Sequence, residues 1–192
     1  MQLSSIDAQK LRLMAFDVDG VMTDGRIYFS QEGEAIKVFN TLDGHGLKKL
    51  AACGVTLAII TGRNTPMVAK RAADLGIAHV IQGREDKGVA LADLAEQLGI
   101  AASETGYAGD DEPDVSALEW AQLSFAPANA HILQKLTTPA HRAQFVFGGF
   151  VLSFQPNALV PHVLGDGFGL VFLLAARGED FIPASLPVFL KP

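Results

Sequence analysis

The sequence predicts an α/β fold, a parallel sheet flanked by helices with a β-hairpin inserted after the first strand. Three observations carry this expectation. Over its first two-thirds the chain alternates short apolar runs with amphipathic stretches, as repeated βα units do. One of those runs, residues 55–60, is continuously apolar, the pattern of a strand covered on both faces. Reactive polar side chains also recur just beyond successive apolar runs, where a parallel sheet gathers its strand ends into one crevice.

Taken in order, residues 13–18 read as the first strand, ending in Asp17 and Asp19. Residues 26–30 and 35–39 flank the turn-forming Gln31-Glu32-Gly33-Glu34 and predict the hairpin. Asp43 is suited to cap a helix that reaches about Cys53 and stops at Gly54. After the strand at 55–60, Pro66 fits the first turn of a helix with Thr65 as its cap and Gly76 as its end. A short strand at 79–82 precedes a helix over 86–98, closed by Gly99. A strand at 105–108 runs into Gly109-Asp110-Asp111. A short helix at 114–120, a strand at 123–125 and a helix at 129–136 complete the pattern.

Bulk properties narrow the function. The 192 residues suit one domain, or one domain with an appendage. A net charge of -6 argues against a nucleic-acid partner, which requires a basic face. The single Cys53 excludes an intrachain disulfide framework and a cysteine metal cluster. Residues 1–15 lack a secretory apolar region, so no signal peptide and a cytoplasmic location are expected. Composition then shifts: eight of the 12 Phe follow Gln144, where Arg177 and Lys191 are the only Lys or Arg residues. The expected division is a core domain over 1–144 and an apolar C-terminal segment over 145–192 without a clean period. Its longest apolar stretch, 168–176, is far short of the roughly 18 residues of a membrane helix, so no membrane partner is expected.

Four strand ends carry chemistry: Asp17 with Asp19, Thr61-Gly62-Arg63, Lys87, and Asp110 with Asp111 and Asp114. Phosphoryl transfer to a carboxylate needs positive charge to offset the repulsion between nucleophile and phosphate. A magnesium ion held by Asp17 and Asp110 or Asp111 would provide it, with Lys87 as a fixed ammonium and Thr61 as a hydroxyl donor. Asp19 is placed to protonate the leaving oxygen and then activate water. Each element also has a plainer reading: Asp19-Gly20 as a turn, Thr61 as a strand-end cap, Lys87 as a solvated lysine, Asp110-Asp111 as helix-capping acids. Their recurrence in order at successive strand ends favours a site. A nucleotide-sugar metal site built on Asp17-Val18-Asp19 alone leaves the other three ends unexplained.

Asp17-Val18-Asp19-Gly20-Val21-Met22-Thr23-Asp24-Gly25 resembles the first motif of the haloacid dehalogenase superfamily. Ile60-Thr61-Gly62-Arg63, Lys87 and Gly109-Asp110-Asp111-Glu112-Pro113-Asp114 resemble the other three. Phe39-Asn40-Thr41-Leu42-Asp43-Gly44, Gln82-Gly83 and Ala126-Pro127-Ala128-Asn129-Ala130 are similar to the subgroup of 3-deoxy-D-manno-octulosonate 8-phosphate phosphatases. The likeness spans roughly residues 10–135. It implies a capless Rossmann-like core, a homotetramer built through the hairpin, and magnesium-dependent hydrolysis of a small anionic sugar-acid phosphate in lipopolysaccharide sugar synthesis. By the same resemblance Asp17 forms the aspartyl-phosphate, Asp19 is the acid and base, and Thr61 and Lys87 assist. Asp17, Asp19 through its carbonyl, and Asp110 hold the metal. Asp19, Asn40, Thr41, Leu42, Asp43, Gly44, Lys48, Arg63, Arg71 and Lys87 contact substrate, the two arginines as bidentate clamps for a carboxylate. Two other readings stand beside it: a phosphatase of a nine-carbon sialic-acid-type phosphate, and a non-catalytic scaffold of the same fold. Leu42 replaces an Arg frequent in the family, and nothing after Leu136 matches the family's Gly-rich tail, a break that fits a shifted reading frame or an unusual extension.

Overall fold

A computed structural model describes residues 9–127 and 129–131 in full, together with the backbone of four later strands within 143–173. The central sheet has six strands in the order β5-β4-β1-β6-β7-β8: His79–Gln82, Thr56–Thr61, Leu13–Phe16, Thr105–Ala108, Leu123–Pro127 and Ala143–Val146. Every pairing in it is parallel. From β1 the chain moves outward through β4 to β5, then returns to the other side of β1 for β6 and β7. The order therefore reverses between β1 and β6, and ligand crevices form at such a reversal beyond the carboxyl ends of the strands.

The strands alternate their side chains between two apolar layers, because successive residues point to opposite faces. Met14 and Phe16 join Leu47, Leu50, Val68 and Leu75, so α1 (Thr41–Ala52) and α2 (Pro66–Leu75) cover one face. Leu13, Ala15, Ala58 and Ile60 join Leu91, Leu94 and Leu118, so α3 (Lys87–Leu98) and α4 (Val115–Trp120) cover the other. No helix among the described residues is long and apolar enough to cross a membrane.

Most expected elements are present, and several differ in detail; the first strand, for one, ends at Phe16 rather than at residue 18. The hairpin strands are β2, Tyr28–Ser30, and β3, Gly33–Ile36, so its turn is Gln31-Glu32 and closes earlier than expected. Ser30 closes it: its hydroxyl accepts from the Glu32 amide at 3.1 Å and donates to the Gly33 carbonyl at 3.2 Å. Asp43 does not cap α1. Asn40 does, in extended conformation and with Oδ1 accepting from the Leu42 amide at 2.9 Å, which leaves Asp43 buried in the first turn. Thr65 caps α2 as expected, and Gly76 and Gly99 end α2 and α3 in the left-handed region that glycine tolerates. The strand expected at 123–125 extends to Pro127. The helix expected at 129–136 lies largely outside the described residues. In the C-terminal segment, β9 (Phe150–Gln155) pairs antiparallel with β10 (Ala158–Pro161) and parallel with β11 (Leu170–Leu173), strands that the sequence pattern does not announce.

Candidate active site

Strand register brings the candidate residues together. Phe16 lies opposite Ile59 on one side and Ala108 on the other, so Asp17, Thr61 and Asp110 emerge from three adjacent strand ends. The Asp17 amide still bonds to the Ala108 carbonyl at 2.9 Å, which fixes where its side chain leaves the sheet. Asp17, Thr61, Lys87 and Asp114 are all buried. Carboxylate oxygens of Asp17, Asp110 and Asp114 lie within 4.8 Å of one another.

The three carboxylates are not equivalent. Asp114 is saturated: Oδ1 accepts from Lys87 Nζ and from the Tyr107 hydroxyl, each at 2.7 Å. Its Oδ2 accepts from the amides of Asp110 at 3.0 Å and Asp111 at 3.1 Å. Asp17 Oδ1 and Asp110 Oδ1, by contrast, are buried without a hydrogen-bond partner. Lys87 Nζ approaches Asp17 Oδ1 to 3.1 Å, an ion pair without the alignment of a hydrogen bond. Carboxylate oxygens of Asp17 and Asp110 within 4.8 Å of each other at a strand-order reversal, with neither Oδ1 satisfied by a hydrogen bond, fit a hard cation that takes oxygen ligands. Asp114 instead holds Lys87 and the Asp110 loop in place.

Electrostatics agree. Burial first, and then the Asp114 charge, push the Asp17 carboxyl up to about 6, although Lys87 pulls it back. Burial and the charges of Asp17, Asp114 and Asp111 raise Asp110 to about 8. Burial works against the Lys87 ammonium, but Asp17 and Asp114 outweigh it and hold its pKa above the ordinary value. Burial and Asp114 keep Tyr107 a neutral donor by raising its pKa well above the usual range. The backbone is shaped around these groups. Gly20 has φ +89°, and a Cβ there would fall 1.9 Å from Asp110 Oδ2.

A second charged group surrounds Asp19. Lys37, just past β3, forms an ion pair with Asp19 Oδ1 and lies 3.0 Å from Glu34 Oε1. Glu34 Oε2 accepts from Arg63 Nη1 at 3.1 Å. Further out, Arg71 stacks over the Phe39 ring with 5.6 Å to its centroid, and its Nη2 donates to the Asn40 carbonyl at 3.2 Å. Gly44 leaves room for that guanidinium, since a Cβ there would lie 2.6 Å from Nη2. Burial raises the Asp43 carboxyl to about 7, against the pull of Arg71. Thr41, Leu42 and Lys48 are exposed on α1. Asp111, left open by the sequence, is exposed and accepts from the Glu112 amide at 2.7 Å.

Sequence reasoning missed Lys37, Glu34 and Tyr107. The signal for Lys37 was its place between Ile36 and Val38, which strand alternation sends to the opposite side from both.

A parallel sheet whose first strand ends in an acidic pair, facing a lysine and a second acid across the strand-order reversal, is the arrangement of haloacid dehalogenase-like hydrolases. That family matches residues 76–138. A 3-deoxy-D-manno-octulosonate 8-phosphate phosphatase of Salmonella typhi is 44% identical over 126 residues, covering 66% of this chain and 67% of that protein. Among solved structures, the cobalt-bound deoxy-D-mannose-octulosonate 8-phosphate phosphatase of Haemophilus influenzae superposes with a TM-score of 0.69 at 36% identity, over 73% of this chain and 80% of that one. The Moraxella catarrhalis 3-deoxy-D-manno-octulosonate 8-phosphate phosphatase, solved with magnesium, phosphate and the sugar acid, gives 0.68 at 42% identity, over 70% and 77%. The chain belongs to the 3-deoxy-D-manno-octulosonate 8-phosphate phosphatase family.

Proposed function

We propose that this protein hydrolyses 3-deoxy-D-manno-octulosonate 8-phosphate to the free sugar acid and phosphate, in lipopolysaccharide sugar synthesis. The observation that carries the reading is the approach of Asp17 and Asp110 carboxylate oxygens to within 4.8 Å beside Lys87, with neither Oδ1 satisfied by a hydrogen bond. Asp17 Oδ and Asp110 Oδ, with the Asp19 carbonyl, would hold magnesium, which when bound neutralises charge on the carboxylates and the phosphate. Asp17 attacks phosphorus, the bond to the sugar oxygen breaks, and Asp19 delivers a proton to that oxygen. Asp19 then takes a proton from the water that attacks the aspartyl-phosphate, releasing phosphate and restoring Asp17. Lys87 and the Thr61 hydroxyl steady the phosphoryl oxygens. Arg63 and Arg71 face the substrate carboxylate, with Asn40, Thr41, Leu42, Asp43, Gly44 and Lys48 completing the sugar side.

The site residues all fall between Asp17 and Asp114, which supports 1–144 as the catalytic core and 145–192 as an appended segment. Exposed Ile27, Tyr28, Phe29, Ile36 and Val38 on and beside the hairpin support assembly of copies through it, and we propose a tetramer in the cytoplasm. A scaffold without catalysis would have no use for four buried ionisable groups at one crevice, whose desolvation is costly.

The test is phosphate release from a panel of sugar-acid phosphates with magnesium. We expect the eight-carbon 8-phosphate to be hydrolysed, and Asp17→Asn to reduce release by roughly 10³-fold or more without unfolding. Preference for a nine-carbon phosphate would overturn the substrate assignment. Activity retained in Asp17→Asn would overturn the nucleophile.

A further inference from the structure

The segment after β3 has an inverted pattern. Ile36 and Val38 are 56% and 51% exposed, while the Lys37 side chain between them is 2% exposed. Lysine is ordinarily solvated, and an ammonium is buried only against paired charge. The pairing here is specific. Lys37 meets Oδ1 of Asp19, whereas Oδ2 of Asp19 is buried with no hydrogen-bond partner. Glu34 bridges Lys37 and the exposed side of the group, with Oε1 at 3.0 Å from Lys37 Nζ and Oε2 at 3.1 Å from Arg63 Nη1. Two cations and two carboxylates thus balance in one cluster.

We propose that Lys37 is a positioning residue for Asp19, directing Oδ2 at the leaving-group oxygen. With Oδ1 engaged in accepting from the ammonium, Oδ2, which has no hydrogen-bond partner, is the oxygen left to give and take the proton. The proton given to the departing alkoxide as the phosphorus–oxygen ester bond breaks therefore sits on Oδ2. The proton later taken from water returns to the same atom. This rests on the assignment of Asp19 as acid and base above.

Leaving groups separate positioning from mere folding. A primary alkoxide needs the proton as it departs, while 4-nitrophenolate departs without one. For Lys37→Met we expect kcat/KM on the preferred primary-alkyl phosphate to fall about 10²-fold, the usual worth of acid catalysis, and on 4-nitrophenyl phosphate by no more than about threefold. Lys37→Arg, which keeps a cation at Oδ1, should restore most of the loss. Equal losses on both esters, or no loss on either, overturn the proposal. Should Lys37→Met fail to fold, the pair Lys37→Met with Glu34→Gln removes one charge of each sign and is read the same way. Asp19→Asn is the control for the underlying assignment. If it shows no leaving-group bias, the acid role of Asp19 fails. If it shows the bias and the Lys37 variants do not, the positioning role alone fails.

Discussion

Asp110→Asn should make the metal-free protein more stable at alkaline pH while abolishing its stabilisation by magnesium. Folding raises the Asp110 carboxyl from 3.8 to about 8, through burial and the charges of Asp17, Asp114 and Asp111. The folded state then binds the proton more tightly than the unfolded chain does. Stability is therefore full below about pH 3.8 and is lost as pH rises through about 8. At 1.36 kcal/mol per pH unit the whole rise corresponds to about 6 kcal/mol. The repulsion is shared with Asp17, itself raised to about 6, so only about half of the rise belongs to Asp110 and about 3 kcal/mol is the working figure. Asparagine escapes it. For a chain of this size that is a rise in Tm of roughly 6–12 °C at pH 8.5, shrinking towards nothing near pH 4.

Magnesium should stabilise wild type far more than the variant. In wild type, a cation between Asp17 and Asp110 removes the repulsion, and at a hundredfold excess over Kd it stabilises by about 2.7 kcal/mol. Asp110→Asn has lost one ligand and should show little of that gain. Thermal unfolding of both proteins, with chelator and with magnesium, at pH 5 and 8.5, gives all eight melting temperatures. A metal-free Asp110→Asn no more stable than wild type at pH 8.5 refutes the electrostatic argument. A Tm gain with magnesium equal to that of wild type refutes the placement of the cation.

Two further substitutions probe the frame around the site. Tyr107→Phe removes one of four donors to buried Asp114, a loss of about 2 kcal/mol for a bond to a charged acceptor, and should lower Tm by roughly 4–8 °C. Because Lys87 and two amides still hold Asp114, phosphate release should fall by less than about tenfold. Gly20→Ala puts a Cβ 1.9 Å from Asp110 Oδ2 at φ +89°, and should weaken magnesium binding at least about tenfold in a Tm-shift titration.

How much of this was legible in the sequence depends on which physical signal each residue leaves. β4, α2, β5, α3 and β6 could be read because their boundaries are local: a continuous apolar run, a Thr-Pro start, a glycine in the left-handed region. Asp17, Thr61, Lys87 and Asp110 could be read because parallel strands deliver their carboxyl ends to one crevice whatever the loops between them. The cap of α1 was misplaced because Asn40 and Asp43 are both good capping residues, and only the backbone's extended conformation at Asn40 decides between them.

The division of labour among the acids lies deeper. Asp110, Asp111 and Asp114 look alike in sequence. What separates them is the number of donors each meets: four for Asp114, none for Asp110 Oδ1, and for Asp111 a backbone amide at a solvent-exposed turn. Tyr107 supplies one of those donors from within strand β6, and nothing in a buried Thr-Gly-Tyr-Ala run marks its hydroxyl as the partner of an acid seven residues on. Lys37 is the sharper case. Strand alternation places it opposite Ile36 and Val38, but the usual rule then turns the apolar pair inward and the lysine to water. The segment just past β3 reverses that rule because the Lys37 ammonium meets the carboxylates of Asp19 and Glu34 rather than water, and leaves Ile36 and Val38 exposed.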